Sequence, residues 1–184
     1  FIKEIEEGIE DSGVKAGIIK SASDRGGVTE LEETVLRAVA RASKHTGVPV
    51  YTHTWSPDRV GEQQVRILQE EGVDLNRVII GHAHMNPDHE YHAEIARRGA
   101  YVSFDTLGRL QVPYIADREL GLVRQMVDNG LIGHLLFSHD VSDNSHYNAA
   151  GSGGFDFIST KWLETLREIG VTDEQFQQVM VDNS

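Results

Sequence analysis

Four side chains in this sequence could together build a metal site: Lys20, His53, His82 and Asp140. Neutral imidazole nitrogens and carboxylate oxygens are ordinary ligands of Zn²⁺ and related divalent cations. An ammonium group only donates, so Lys20 cannot ligate as it stands. Buried beside cations it can lose its proton and become nucleophilic. Capture of carbon dioxide would then make it an anionic carbamate whose two oxygens could bridge two metals. Taken singly, each residue has an ordinary explanation as a helix cap, a loop residue or a solvated strand end. Their weight comes from recurrence, because each stands where a short apolar run stops.

Those runs alternate with longer segments of helical period, and no low-complexity linker divides them. Ile2, Ile5 and Ile9 predict a helix over Phe1–Asp11, and Val14–Ile19 predicts a strand ending at Lys20. Thr29 and Glu32 form a capping box that opens a helix with Leu31, Val35, Val39 and Ala42 on one face, ending near Gly47. Further strands are predicted at Val48–Thr52, Val78–Ile80, Tyr101–Phe104 and Leu135–Phe137, ending at His53, Gly81-His82, Asp105 and Ser138-His139-Asp140. The intervening and following helices are read at Val60–Glu71, Asp88–Arg98, Asp117–Asn129, Ile158–Ile169 and Asp173–Asp182. Lys20, His53, His82, Asp105 and Asp140 are thus spaced 33, 29, 23 and 35 residues apart, one to each β/α unit. In parallel β/α proteins all strand ends open on one face, where chemistry is placed. A doubly wound sheet of five strands fits 184 residues, whereas a complete (β/α)₈ barrel typically needs about 250.

Composition narrows the partners. The formal charge of −12, from 17 basic and 29 acidic residues, excludes the clustered basic surface that nucleic acid or an anionic membrane requires. There is no Cys for disulfides or thiolate metal sites, and no apolar run long enough to span a membrane. These features suit a soluble cytoplasmic chain.

Gly17-Ile18-Ile19-Lys20, Gly27-Val28-Thr29 with Leu31-Glu32, Val48-Pro49-Val50 with Thr52-His53-Thr54, Gly72-Val73-Asp74-Leu75 with Arg77-Val78 and Gly81-His82, and Ser138-His139-Asp140 occur in this order. In combination they closely resemble the phosphotriesterase family of the amidohydrolase superfamily, over essentially the whole chain. The resemblance implies a (β/α)₈ barrel with two divalent metals, zinc the expected one, at the carboxyl ends of the strands. Lys20 would be the carboxylated, metal-bridging lysine, and His53 and His82 would bind the more exposed metal. Asp140 would bind the buried metal and handle the proton of a bridging hydroxide that attacks a lactone carbonyl or a phosphoester. A small-molecule ester, lactone or phosphoester is the implied substrate, and a homodimer is compatible with it.

Two departures accompany the resemblance. The His-x-His pair of the family's first strand does not precede Lys20, and the pair His82-Ala83-His84 belongs to a later strand. Residues 1–184 therefore read as a single domain, the C-terminal part of the barrel with about its last five β/α units, starting in the helix before the fourth strand. A scaffold or incomplete fragment without a full metal centre is the alternative; a small flavodoxin-like domain would fit the length but not the ordered motifs. Second, Asp105 is followed by Thr106, where lactonase members carry Arg and organophosphate-hydrolysing members often carry His. The reading leans towards lactones only weakly.

Asp105 is expected to orient a ligand or bind substrate, and Trp55 and Tyr114 to line an apolar substrate pocket from loops. His84 is a secondary candidate. His89 and His92, at i, i+3, are expected to face solvent, His139 to be structural, and Asp24 and Arg25 to form a surface salt bridge. Gly151-Ser152-Gly153-Gly154 reads as a shaped loop rather than a phosphate cradle, since it lacks the Gly-Lys-Ser/Thr ending.

Overall fold

The computed structural model describes residues 1–109, 113–150 and 152–183, excepting the side chains of residues 113–116 and 150. Five parallel strands, β1 (Ile19–Ser23), β2 (Val50–Thr54), β3 (Val78–Ile80), β4 (Tyr101–Phe104) and β5 (Leu135–Phe137), form one sheet in strict chain order. Between them run α2 (Glu30–Thr46), α3 (Val60–Glu70), α4 (His89–Arg97) and α5 (Pro113–Asp128), with α1 (Ile2–Glu6) before the sheet. After β5 come α6 (Leu163–Glu168), entered through a π-helical turn at Ile158–Trp162, and α7 (Asp173–Gln177), which leaves through another at Gln178–Asp182. Parallel strands need long crossovers, and each of α2 to α5 supplies one while covering the sheet.

The helix ends follow local chemistry. Thr29 Oγ1 accepts from the Glu32 amide while the Glu32 carboxylate accepts from the Thr29 amide, and Gly47 closes α2 in the left-handed conformation at φ 79°. Leu36, Val39, Ala40 and Ser43 form the buried stripe of α2, whereas Leu31 and Val35 are exposed. The helix thus buries Val39 and Ala42 of the expected face, but turns Leu36, Ala40 and Ser43 inward in place of Leu31 and Val35. The N-terminal helix is shorter than Phe1–Asp11 because Gly8, at φ 122°, lies outside helical space.

The sheet's first two strands lie later than their apolar runs suggest. Lys20 is the second residue of β1 and His53 the fourth of β2, not the residues following them. Val14 and Ile18 are instead exposed. Ile19 pairs with Val50 and Ser23 with Thr54, so a polar run, Lys20–Ser23, completes β1. Alternation explains why a polar run serves: Ile19, Ser21 and Ser23 turn to the buried side, Lys20 and Ala22 to the other. The same register sets Lys20 beside Tyr51 and Ala22 beside His53.

Val50, Val78, Ile80, Val102, Phe104 and Leu135 pack with Val39, Leu68, Ile95, Val123 and Met126 in a continuous core. Each such buried aliphatic side chain contributes about 1.5–3 kcal/mol. Among the described residues no helix is long and apolar enough to cross a membrane.

Candidate active site

A cleft of about 1230 Å³ opens at the carboxyl ends of the strands, and Lys20, His53, His82 and Asp140 all line it. Lys20 and His53 reach it from the face of β1 and β2 opposite the Ile19/Val50 side, and His82 from just beyond β3. The His53 and His82 rings stand edge to face with centroids 4.7 Å apart. Burial lowers the His53 pKa first, and the charges of His82 and Lys20 add to this against Asp24 and Asp105. Lys20 lies over the Tyr51 ring, its Nζ 4.1 Å from the centroid. Its own pKa is lowered by burial, partly offset by the charges of Asp105 and Asp140.

Asp105 is the anchor behind His82. Only 2% exposed, it accepts from the His82 amide (3.1 and 2.9 Å) and sits 2.7 Å from His82 Nδ1. The Tyr51 hydroxyl donates to the same carboxylate and lies 3.0 Å from Ser103 Oγ. Burial would raise the Asp105 pKa, but the His82 hydrogen bond and charge, the charge of His84 and the Tyr51 hydroxyl together hold it below the usual carboxylate range. Burial and the adjacent Asp105 push the Tyr51 phenol upward. With Nδ1 engaged by a carboxylate, the lone pair of His82 is presented on Nε2. Gly81 makes this approach possible: a Cβ there would collide with the Thr52 carbonyl and come within 2.8 Å of the Tyr51 ring. His82 itself has left-handed backbone, φ 55°, which turns its side chain back over the strand end.

Asp140, also left-handed at φ 46°, is held by Arg109 Nη1 at 2.6 Å. Arg109 Nε and Nη2 lie 3.2 and 3.0 Å from His146 Nε2. This loop contact among Arg109, Asp140 and His146 joins residues far apart in sequence, and no local pattern announces it. Trp55 lines the cleft, with the Arg25 guanidinium 4.3 Å from its ring centroid. Arg25 therefore spends its side chain on Trp55 rather than on Asp24, whose carboxylate accepts from the Arg25 amide instead. The Tyr114 side chain lies outside the described residues.

A polar corner lies beside His82. His84 is buried, with Nε2 2.6 Å from Thr106 Oγ1 and 3.9 Å from Glu119 Oε1, while its Nδ1 lies 4.0 Å from Asp105 Oδ1 and makes no hydrogen bond among the described residues. Burial lowers the His84 pKa to about 4. Glu119, 6% exposed on α5, is raised by burial to about 7, with Arg118 opposing the shift. Glu119, Leu122, Val123 and Met126 follow i, i+3, i+4, i+7 spacing, so the helical period marks Glu119 as facing inward. His92, expected at the surface, is fully buried and its Nε2 lies 2.8 Å from the Ala83 carbonyl, while His89 is exposed. The Ile158 amide donates to His139 Nε2. Ser152 Oγ donates to the Gly108 carbonyl, tying the glycine-rich loop to the loop after β4.

The donor set has the chemistry of a divalent-cation site. His82 presents a free Nε2, and His53 has no hydrogen-bond partner for its ring among the described residues. The set is incomplete as a cage: among the described residues no three His, Asp or Glu side chains gather closely enough to hold a metal. Asp140 would have to exchange Arg109 for a metal.

The sequence profile of the Phosphotriesterase family matches residues 1–184. The chain belongs to this family. The phosphotriesterase homology protein of Mycobacterium tuberculosis is 38% identical over all of the chain and 58% of its own length. The crystal structure of the Escherichia coli phosphotriesterase homology protein, complexed with phosphate in its active site, superposes with a TM-score of 0.92 at 34% identity, over 99% of this chain and 62% of that one. A phosphotriesterase-like lactonase of Deinococcus radiodurans, in a multiply substituted form, gives a TM-score of 0.88 at 34% identity, over 99% and 60%. The chain thus spans about three fifths of the length of the relatives it matches, and its five β/α units form part of the family barrel.

Proposed function

We propose that this chain carries most of the catalytic face of a metal-dependent hydrolase acting on lactones or phosphoesters, with two divalent ions, zinc the favoured identity. The observation that carries the reading is the His82 imidazole fixed by buried Asp105, with the His53 ring, unpartnered among the described residues, 4.7 Å away and the Lys20 amine on the same face. Bound metal would supply Lewis acidity and lower the pKa of water. His53 and His82 would hold one ion through imidazole nitrogens. Lys20, whose lowered pKa favours the free amine, would take up carbon dioxide with loss of a proton and bind as a carbamate. Asp140, released from Arg109, would bind metal and carry the reaction's proton at a carboxylate oxygen, while Asp105 keeps His82 oriented. Trp55 would cover the apolar part of the substrate. The relatives support both substrate classes, one by its active-site phosphate and another by its name as a lactonase.

The competing reading, a scaffold without a complete centre, draws on the Arg109–Asp140 pair and the incomplete cage. Metal content separates the two. Elemental analysis of the folded chain, purified without chelator, should find two metals per chain, with hydrolysis lost on chelation and regained with Zn²⁺. A folded chain that retains no metal would overturn the hydrolase reading for these 184 residues.

A further inference from the structure

The charge lining the cleft runs against that of the chain. Of a protein with net charge −12, Lys20, Arg25, Arg109 and Arg118 face this space, against the carboxylates of Asp24, Glu119 and Asp140. Three of the cations are engaged: Lys20 over Tyr51, Arg25 over Trp55, and Arg109 with Asp140 and His146. Arg118 differs. Among the described residues its guanidinium has no hydrogen bond, ion pair or aromatic face, and its Nε is buried without a partner. A buried donor left unmade is costly, so such a group implies something that completes it.

Its surroundings say what that is. Glu119, the next residue, is buried, lines the same cleft and makes no hydrogen bond among the described residues; His84 Nε2 lies 3.9 Å from its Oε1. Held protonated up to about pH 7, its carboxyl acts as a donor rather than a competing anion. A planar guanidinium beside a carboxyl donor matches the two oxygens of a carboxylate, which Arg binds in bidentate fashion.

We infer that Arg118, assisted by Glu119, anchors a carboxylate at the far end of the substrate, so that the substrates are esters or lactones bearing an anionic group. This rests on the cleft being the hydrolytic site proposed above. Arg118 is a binding residue here, with no part in bond cleavage.

The test compares 4-nitrophenyl hydrogen glutarate with 4-nitrophenyl butyrate on the zinc-loaded full chain. The two share a leaving group and differ by the terminal carboxylate. The glutarate ester should be favoured in kcat/KM by roughly tenfold or more, the scale of a charge-assisted pair. Arg118→Gln should bring the ratio near one, chiefly through KM, and Arg118→Lys should restore part of it. Arg66→Gln, on an exposed face of α3, should change neither rates nor ratio. A wild-type ratio near one, or a ratio unmoved by Arg118→Gln, would overturn the inference while leaving the hydrolase reading intact. If neither ester is cleaved, calorimetric titration with 5-oxohexanoate, which keeps the carboxylate and replaces the ester by a ketone, decides. Binding weakened about tenfold in Arg118→Gln would support the anchor although hydrolysis fails; absent or unaltered binding would overturn it.

Discussion

Replacing Glu119 by glutamine should stabilise the protein at neutral pH and have little effect in acid. Burial raises this carboxyl from an ordinary 4.5 to about 7 in the folded chain. Below pH 4.5 both folded and unfolded forms hold the proton, so the group is neutral to stability. As pH rises from 4.5 towards 7 the unfolded chain ionises while the folded chain keeps its proton. The folded state then binds more protons, so stability falls with pH. At about 1.4 kcal/mol per pH unit, the loss approaches ~3 kcal/mol once pH exceeds 7. Glutamine cannot ionise, so the variant escapes it. Urea unfolding of both proteins at stepped pH from 4.5 to 8 reads the effect, because the difference between them cancels the nine histidines and every other shared group. The gap should widen by about 3 kcal/mol across that range. A gap that varies by less than ~0.5 kcal/mol, the scatter of surface substitutions, would refute the buried, raised Glu119.

Other outcomes follow from the same geometry. His53→Ala and Asp140→Ala should each abolish hydrolysis, whereas His45→Ala, which loses only an exposed contact with Glu6, should not; equal rates in all three would sink the assignment. Asp105→Asn should weaken metal binding about 10–100-fold in a chelator competition, since the His82 ring loses its charged partner. Unchanged affinity would show that His82 is oriented otherwise. Gly81→Ala should cost about 1–3 kcal/mol in chemical denaturation, because the new methyl meets the Thr52 carbonyl and the Tyr51 ring. A denaturation midpoint equal to wild type would mean that β2 yields freely there.

Where apolar runs and pairing partners coincide, as in Val78–Ile80, Tyr101–Phe104 and Leu135–Phe137, strands were legible in the sequence because hydrophobic burial sets both their limits and their register. β1 was not, since its register depends on the pairing of Ile19 with Val50, a contact that no local window contains. The strand therefore takes Lys20–Ser23 rather than the apolar run before it. Spacing and resemblance pointed to Lys20, His53, His82 and Asp140, which share one cleft. The groups that condition them were harder to read. Tyr51 on β2 reaches Asp105 beyond β4 across the end of β3, and Arg109 meets Asp140 across two loops. His92 is buried rather than exposed because Tyr91, Ile95 and Ala96 set the inward face of α4, and His89, three residues earlier, lies outside it.

Among the described residues four non-glycine residues have left-handed backbone, and two of them, His82 and Asp140, are candidate metal ligands. An L-residue in this conformation costs roughly 1–2 kcal/mol that glycine does not bear, although Asp and His tolerate it better than most. Folding stability and the ligand set therefore pull in opposite directions at these two positions. Laboratory evolution selected for thermal tolerance alone should accumulate glycine or asparagine at residues 82 and 140, returning a sturdier barrel fragment that has discarded its chemistry. Screens that retain His82 and Asp140 must find their stability elsewhere, for instance on the solvent-facing turns of the helices, where the backbone is already relaxed.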